Sequence, residues 1–138
     1  MDRLVEAFFR TYETATSNSD FAIVGDLYAE TFLFAGPCSV HSVRREDFLK
    51  ILPKMKAQFY SAGLTASRFS SVEAEDLDSR YVLAKVRWEM TIHMPGGDLK
   101  GFDAFATYVL DRCDDKLTII FQLDHQDLAA VVNEQRNA

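Results

Sequence analysis

The chain has few of the residues that mark crosslinked or irregular proteins: two cysteines, three prolines and six glycines among 138 residues. Cys38 and Cys113 are far apart and form no CxxC pair, so the sequence holds neither a disulfide framework nor a zinc-finger motif. We expect both to be free thiols buried in a reducing compartment. A single domain spanning residues 1–138 can bury enough surface to fold without crosslinks or metal.

Clustered positive charge is also missing, and the formal net charge is −6. The nearest basic pair, Arg44 and Arg45, is followed at once by Glu46 and Asp47. Because binding to phosphates requires a clustered basic surface, the sequence excludes nucleic acid as a favoured partner. No apolar run reaches the length of a membrane span, and charges near the N-terminus interrupt any signal-peptide core. We therefore expect no membrane partner and a cytoplasmic location.

Apolar residues in the first half recur at the spacing of one helix face, which predicts three helices. Their inward faces are Leu4, Val5, Phe8, Phe9, Tyr12 and Ala15, then Phe21, Val24, Leu27 and Tyr28, then Phe48, Ile51, Leu52, Met55 and Phe59. Residues 17–20 break the first helix and cap the second, and Ser42 is placed to cap the third. Pro53 predicts a kink or restart within the third helix, and Gly63 predicts its end.

After Gly63 the period becomes alternating, and the residues are rich in β-branched and aromatic types. The pattern predicts four long strands at residues 64–76, 80–94, 99–113 and 115–125, after two short ones at 32–35 and 38–43. The turns between the long strands are so short that neighbouring strands must be antiparallel. A short tail from about Gln126 is predicted as helical.

Alternation also assigns the two faces of the predicted sheet. The apolar face of the second and third long strands comprises Val82, Ala84, Val86, Trp88, Met90, Ile92, Phe102, Ala104, Ala106, Tyr108 and Leu110. The opposite face is at least half polar, with Arg87, Glu89 and Thr91 on the second long strand. One face therefore packs against the helices.

Two stretches carry a family resemblance, "FFRTYETATSNSDFAIVGDLYAETFLFAGP" and "LTIIFQLDHQDL". With the order of three helices before a long meander, they resemble the nuclear transport factor 2-like superfamily, which includes SnoaL-like polyketide cyclases and ketosteroid isomerases. The resemblance implies an α+β fold in which N-terminal helices pack in the concavity of a strongly curved, mostly antiparallel sheet, a cystatin-like cone. It also implies a pocket at the wide mouth of the cone and a homodimer through the exposed sheet face.

The residues depart from those of a ketosteroid isomerase. Tyr12 stands near the position of the isomerase tyrosine, but Ala35 and Gly36 lie where the carboxylate base belongs. The partner acid falls at Ala106 or Thr107. Because none of these side chains abstracts a proton as a carboxylate does, the departure argues against that activity.

Histidines and acids are the candidates for chemistry, because their pKa values respond to burial and to neighbouring charge. His125 ends the last strand, and Asp103 lies in an apolar stretch, so either is a candidate for proton transfer. The alternative for His125 is a structural imidazole that hydrogen-bonds to the backbone. The alternative for Asp103 is an ion pair at the surface or in an interface. His41 is a further candidate for the pocket, whereas His93 is expected to be solvated. Asp124 is interpreted as a strand-end acid.

The remaining candidates are inward aromatic and thioether side chains, which either form the core or contact a ligand. With Tyr12 and His41, the predicted ligand-binding residues are Trp88, Met90, Phe102, Tyr108 and Phe121. The histidines lack ligand spacing, so no metal site is predicted. The sequence also has no phosphate loop, catalytic triad pattern or cofactor fingerprint, so no cofactor is predicted.

Three classes of function remain open. The first is a domain that binds a small apolar or aromatic molecule between sheet and helices. The second is a cofactor-independent cyclase, isomerase or hydrolase that uses Asp103 or His125. The third is a dimeric interaction module with a filled pocket. An open cavity that contains a titratable group favours the first two classes.

Overall fold

Four helices and six strands follow one another in residues 3–137, the part of the chain that the computed structural model describes. The helices are α1 (Arg3–Ser17), α2 (Phe21–Asp26), α3 (Arg45–Ser61) and α4 (Leu128–Arg136). The strands are β1 (Tyr28–Ala35), β2 (Val40–Arg44), β3 (Leu64–Asp76), β4 (Tyr81–His93), β5 (Leu99–Cys113) and β6 (Lys116–Asp124).

The six strands form one sheet in the order β2-β1-β6-β5-β4-β3. All neighbours are antiparallel except β1 and β6, which run parallel. Irregularities in register interrupt the β1–β6, β3–β4 and β5–β6 ladders. Because bulges bend strands and increase their twist, they help the sheet to curve around the helices. The predicted α+β class and mostly antiparallel sheet are confirmed.

The core lies between α1 and the concave face of the sheet. Phe9 is fully buried, and its ring centroid lies 4.8 Å from that of Tyr108 and 6.3 Å from that of Trp88. All six apolar residues predicted for the inner face of β4 are buried, as alternation requires. Lysine, arginine and glutamate occupy the intervening, exposed positions. The sheet is therefore apolar towards the helices and polar on the outside.

Some local predictions were wrong. Tyr28 does not end a helix but begins β1, because α2 stops at Asp26 and Leu27 is its C-cap. Ser42 lies within β2, and the residue at the N-cap of α3 is Arg44. Helix α3 continues through Pro53 without a restart. Gly63 follows α3 with φ of +109°, a conformation that favours glycine and confirms the predicted end.

The expectation of buried thiols was also wrong. Cys38 and Cys113 are both free and exposed. Cys38 lies in the connection between β1 and β2, and Cys113 is the last residue of β5, so neither is within a strand interior. No helix in residues 3–137 combines the length and the apolar character needed to cross a membrane.

Candidate functional site

A cavity of about 400 Å³ lies between the concave face of the sheet and the three N-terminal helices. Much of its wall is apolar, with contributions from α2, α3, β3 and β4. These residues include Phe21, Leu52, Met55, Phe59, Leu64 and Met90. Polar side chains of α1, α3, β5 and β6 complete the wall. They include Tyr12, Glu13, Lys56, Tyr108, Gln122 and Asp124. The volume is in the range of cavities that enclose small organic molecules.

A chain of hydrogen bonds runs along the polar side of the cavity. The buried Tyr28 hydroxyl donates to Oε1 of Gln122 at 2.5 Å. Since that bond uses the only hydroxyl proton of Tyr28, the 2.6 Å contact between the Tyr12 and Tyr28 hydroxyls has Tyr12 as its donor. The Gln122 amide then donates from Nε2 to Oδ1 of Asp124 at 3.0 Å. The chain thus ends at a carboxyl group on the cavity wall.

Burial controls the protonation of the groups in this chain. Desolvation raises the pKa of Tyr12 to about 12 and the pKa of Tyr28 well above its ordinary value, so both phenols stay neutral. Burial also raises the pKa of the Asp124 carboxyl, while the Gln122 hydrogen bond acts in the opposite direction. A carboxyl whose pKa is raised at a cavity wall is a frequent feature of functional sites.

Tyr108 is the second polar group on the sheet side of the cavity. Its hydroxyl accepts a hydrogen bond from Nε1 of Trp88 at 3.3 Å, and its side chain is almost fully buried. Burial raises the pKa of Tyr108 well above its ordinary value, and the negative charge of Asp124 acts in the same direction. The phenol is therefore a neutral hydrogen-bond donor at every ordinary pH.

Lys56 is the cavity residue with a basic side chain in the described range. Its ammonium group donates to the carbonyl oxygens of Thr16 at 2.5 Å and Ser17 at 3.3 Å, and to Oγ of Ser19 at 2.7 Å. These bonds cap the C-terminal end of α1 and use all three ammonium protons. Lys56 thus serves to hold α3 against α1.

A family model described as "NTF2-like protein (DUF6841)" matches residues 1–127 of the sequence. The chain belongs to this NTF2-like family. The superfamily resemblance seen in the sequence is therefore confirmed. The match ends one residue before α4, so the last helix lies beyond it. No curated protein matches the chain.

Several solved structures of other proteins have the same fold. An NTF2-like protein of unknown function from Shewanella oneidensis is 14% identical, with a TM-score of 0.71 over 89% of this chain and 97% of that one. An NTF2-like protein with a cystatin-like fold from Novosphingobium aromaticivorans is 9% identical, with a TM-score of 0.72 over 93% and 85%. The beta subunit of benzoate 1,2-dioxygenase from Burkholderia mallei is 15% identical, with a TM-score of 0.68 over 92% and 91%. At these identities the likeness establishes the cone fold alone.

Four of the seven predicted ligand-binding residues of the NTF2-like protein line the cavity: Tyr12, Trp88, Met90 and Tyr108. The other three lie outside its wall. His41 is exposed on β2. Phe102 is partly buried against the core near the start of β5, and Phe121 lies opposite Val109 on the outer side of the sheet. A binding role for these three stays a prediction.

The two residues predicted for proton transfer, Asp103 and His125, also lie outside the cavity wall. The Asp103 carboxylate is exposed on the outer sheet face, where it lies 4.0 Å from Nη1 of Arg87. His125 is exposed as well, and its Nε2 is 2.7 Å from the hydroxyl of Thr107. Asp103 thus lies apart from the polar groups around Asp124, whereas the charge of the adjacent His125 acts to lower the pKa of Asp124.

The sequence analysis did not assign the hydrogen-bonded residues Tyr28, Gln122 and Asp124 to the site, and a β-bulge explains two of them. Leu110 pairs with Ile119 and Val109 pairs with Phe121, so β6 has one extra residue at Ile120. The extra residue reverses which side chains face inwards. Beyond it the even-numbered positions of β6 face the cavity, including Gln122 opposite Tyr108 and Asp124 opposite Ala106. The uninterrupted apolar run at residues 119–121 was the signal that could have revealed the bulge.

No group of three or more histidine, cysteine, aspartate or glutamate side chains within residues 3–137 is arranged to hold a metal ion. The polar groups at this site include the neutral phenols of Tyr12 and Tyr108, the amide of Gln122 and the carboxyl groups of Glu13 and Asp124. These can bind and orient a small molecule, and a carboxyl group can exchange a proton with it.

Proposed function

We propose that this NTF2-like protein binds a small, mainly apolar molecule in the cavity between sheet and helices. The observation that carries the proposal is the cavity of about 400 Å³, in which an apolar wall faces the carboxyl of Asp124 and the hydroxyl of Tyr108. Ligand sites are typically apolar cavities with a few convergent polar groups, because burial supplies affinity and the polar groups supply orientation. The NTF2-like fold accommodates such a site.

A thermal-shift screen with small apolar and aromatic molecules tests this proposal. A ligand at a hundredfold excess over its Kd adds about 2.7 kcal/mol, which shifts Tm by several degrees for a domain of this size. We expect hits of one chemical class, together with a change in the emission of Trp88, the only tryptophan. A screen without hits, in which a known ligand-binding NTF2-like protein responds, would contradict the proposal.

A matched pair of variants locates the binding. Ala104 lies on β5 opposite Trp88, with its side chain on the inner face of the sheet at the cavity wall, so Ala104→Leu narrows the cavity. Ala57 is exposed on α3 and lies outside the cavity wall, so Ala57→Leu is the same change elsewhere. We expect Ala104→Leu to reduce the ligand-induced shift and Ala57→Leu to leave it unchanged. An equal effect of both variants would place the binding elsewhere.

A second candidate function is cofactor-independent proton transfer on the bound molecule. The raised pKa of the Asp124 carboxyl favours it, since a general acid or base works best with a pKa closer to neutral than that of an ordinary aspartate. Asp124 would then occupy the role that the sequence assigned to Asp103 or His125. Once a ligand is known, Asp124→Asn should abolish its turnover, whereas Asp103→Asn and His125→Gln should not. Turnover retained in Asp124→Asn would eliminate this candidate.

A further inference from the structure

Three polar groups at the cavity have hydrogen-bonding capacity that the described residues do not use: the Tyr108 hydroxyl, the Asp124 carboxyl and the buried Oγ1 of Thr16. The Tyr108 hydroxyl accepts from Trp88, but its own proton has no acceptor among residues 3–137. Oδ1 of Asp124 accepts from Gln122, but Oδ2 has no donor within the same residues. Buried donors and acceptors in proteins are nearly always paired, because an unpaired one costs about 1–3 kcal/mol. A bound group that pairs with the Tyr108 proton and with Oδ2 of Asp124 would satisfy both.

The charges around the cavity disfavour an anionic ligand. Glu13 and Asp124 both line the wall, and Asp124 forms no ion pair with any described residue. The three ammonium protons of Lys56 are already donated to the end of α1. A carboxylate or phosphate would thus meet two acids without an available cation, and its burial there would be costly.

We propose that the cavity selects an apolar molecule that ends in a hydroxyl group, an alcohol or a phenol, held between Tyr108 and Asp124. The inference rests on the proposed function and adds the chemistry of the ligand's polar end. A hydroxyl accepts the Tyr108 proton and donates its own to the Asp124 carboxylate. When the Asp124 carboxyl is protonated, the ligand hydroxyl can accept a hydrogen bond from it instead. An ammonium group has no lone pair for Tyr108, and a hydrocarbon leaves both atoms unpaired.

Isothermal titration with a matched probe series tests this inference. The probes 3-phenylpropanol, 3-phenylpropanoate, 3-phenylpropylamine and propylbenzene share one apolar body and differ in the end group. We expect the alcohol to bind to the wild-type protein at least about fivefold more tightly than each of the other three, a difference typical of one or two net hydrogen bonds. Equal or tighter binding of the carboxylate or the amine would overturn the inference.

Variants assign the preference to the two atoms. Tyr108→Phe should weaken the alcohol about threefold to tenfold and leave propylbenzene unchanged. The control Tyr81→Phe removes a hydroxyl from a β4 residue outside the cavity wall, and it should change neither affinity. If the alcohol loses nothing in Tyr108→Phe, the proposed contact is absent. If Tyr108→Phe fails to fold, the relative affinities of the four probes for the wild-type protein still test the inference.

The outcomes separate this inference from the proposed function. If all four probes bind with similar affinity, the cavity binds apolar molecules, and only the selection for a hydroxyl is wrong. If none of the four binds and the wider screen also gives no hit, the proposed function itself is contradicted.

Discussion

Asp124 is the residue on which most of the site's chemistry depends, and its stability contribution depends on pH. Its pKa is raised chiefly by burial, so the folded protein holds the proton more tightly than the unfolded chain does. The resulting stabilisation is present at pH values below the unfolded pKa and is lost as pH rises through the folded pKa. At neutral pH the buried Asp124 carboxylate therefore destabilises the folded protein.

Replacement of Asp124 by asparagine should make the protein more stable at neutral pH. Asparagine keeps an oxygen acceptor for Nε2 of Gln122 but carries no charge, so we expect a gain on the order of 1 kcal/mol. The gain should shrink as pH falls, because the wild-type carboxyl becomes neutral too. Urea denaturation of both proteins between pH 4 and about pH 8 measures it. A variant that is less stable than wild type at neutral pH would contradict the assigned direction.

Tyr28 should contribute more to stability through its hydroxyl than Tyr12 does. In Tyr28→Phe the buried Oε1 of Gln122 loses its donor, which costs about 1–3 kcal/mol. In Tyr12→Phe the Tyr28 hydroxyl still donates to Gln122, so the loss should stay below about 1 kcal/mol. Denaturation of the two variants under identical conditions compares them. Equal losses would show that the hydrogen bonds do not have the inferred direction.

The sequence could not place Gln122 and Asp124 on the inner face because alternation holds only while a strand is regular. One extra residue at Ile120 reverses which later side chains of β6 face inwards. Phe121 therefore faces outwards, and Gln122 and Asp124 face inwards. Upstream of the bulge, the parity of Leu117 and Ile119 agrees with burial. Alternation therefore assigns side chains to the two faces of a sheet correctly only where the strand has no bulge.

Helix α1 is joined to the sheet by a side chain in addition to its apolar face. The Glu13 carboxylate accepts a hydrogen bond from the backbone N–H of Phe69 at 2.6 Å, next to the irregularity between Phe69 and Ser71 in β3. A bulge leaves a backbone group without its ladder partner, and Glu13 supplies one. The contact fixes α1 beside the cavity wall that Glu13 helps to form.

Loss of the Glu13 contact should therefore destabilise the whole domain. We expect Glu13→Ala to lower the free energy of unfolding by about 2 kcal/mol, since a charged acceptor is lost from a partly buried donor. Glu13→Gln retains an acceptor oxygen and should lose less than half as much. Thermal and urea denaturation of the pair give both values. A glutamine variant as unstable as the alanine variant would assign the effect to charge and not to the Phe69 hydrogen bond.

Helices and strands differed in how well their limits followed from the sequence. The four long strands were placed to within a residue or two, because tight turns mark both ends of β4 and β5. Helix α2 was extended too far, since Tyr28 continues its apolar spacing although it begins β1. Pro53 lies within a continuous α3, because packing of the helix outweighs the loss of one backbone hydrogen bond.

The molecule as a whole was predictable because the order of its elements is unusual, whereas its site depends on a few side chains. The family match and the shared fold of its solved relatives say nothing about which molecule enters the cavity. The dimer expected from the resemblance stays a prediction. It would use the outer sheet face, where Arg87, Glu89 and Asp103 are exposed.

Sedimentation equilibrium tests that expectation. We expect a mass of two chains for the wild-type protein, and a mass of one chain for Arg87→Glu, which reverses a charge in the middle of the outer face. The control Lys50→Glu makes the same reversal on the exposed side of α3 and should remain a dimer. A wild-type protein that sediments with the mass of one chain would contradict the prediction that the outer sheet face is a dimer interface.

Binding in the cavity can be observed directly through the indole N–H of Trp88, which gives a single resonance because the chain has one tryptophan. This N–H donates to Tyr108 at the cavity wall, so a bound molecule there changes its surroundings. A titration of ¹⁵N-labelled protein with 3-phenylpropanol should shift this resonance in a saturable manner, together with residues of the wall. The exposed cross-strand pair Lys85 and Glu73, outside the cavity wall, should not shift. Shifts confined to the outer face, or a Trp88 resonance that no apolar probe moves, would contradict the claim that the cavity is a binding site.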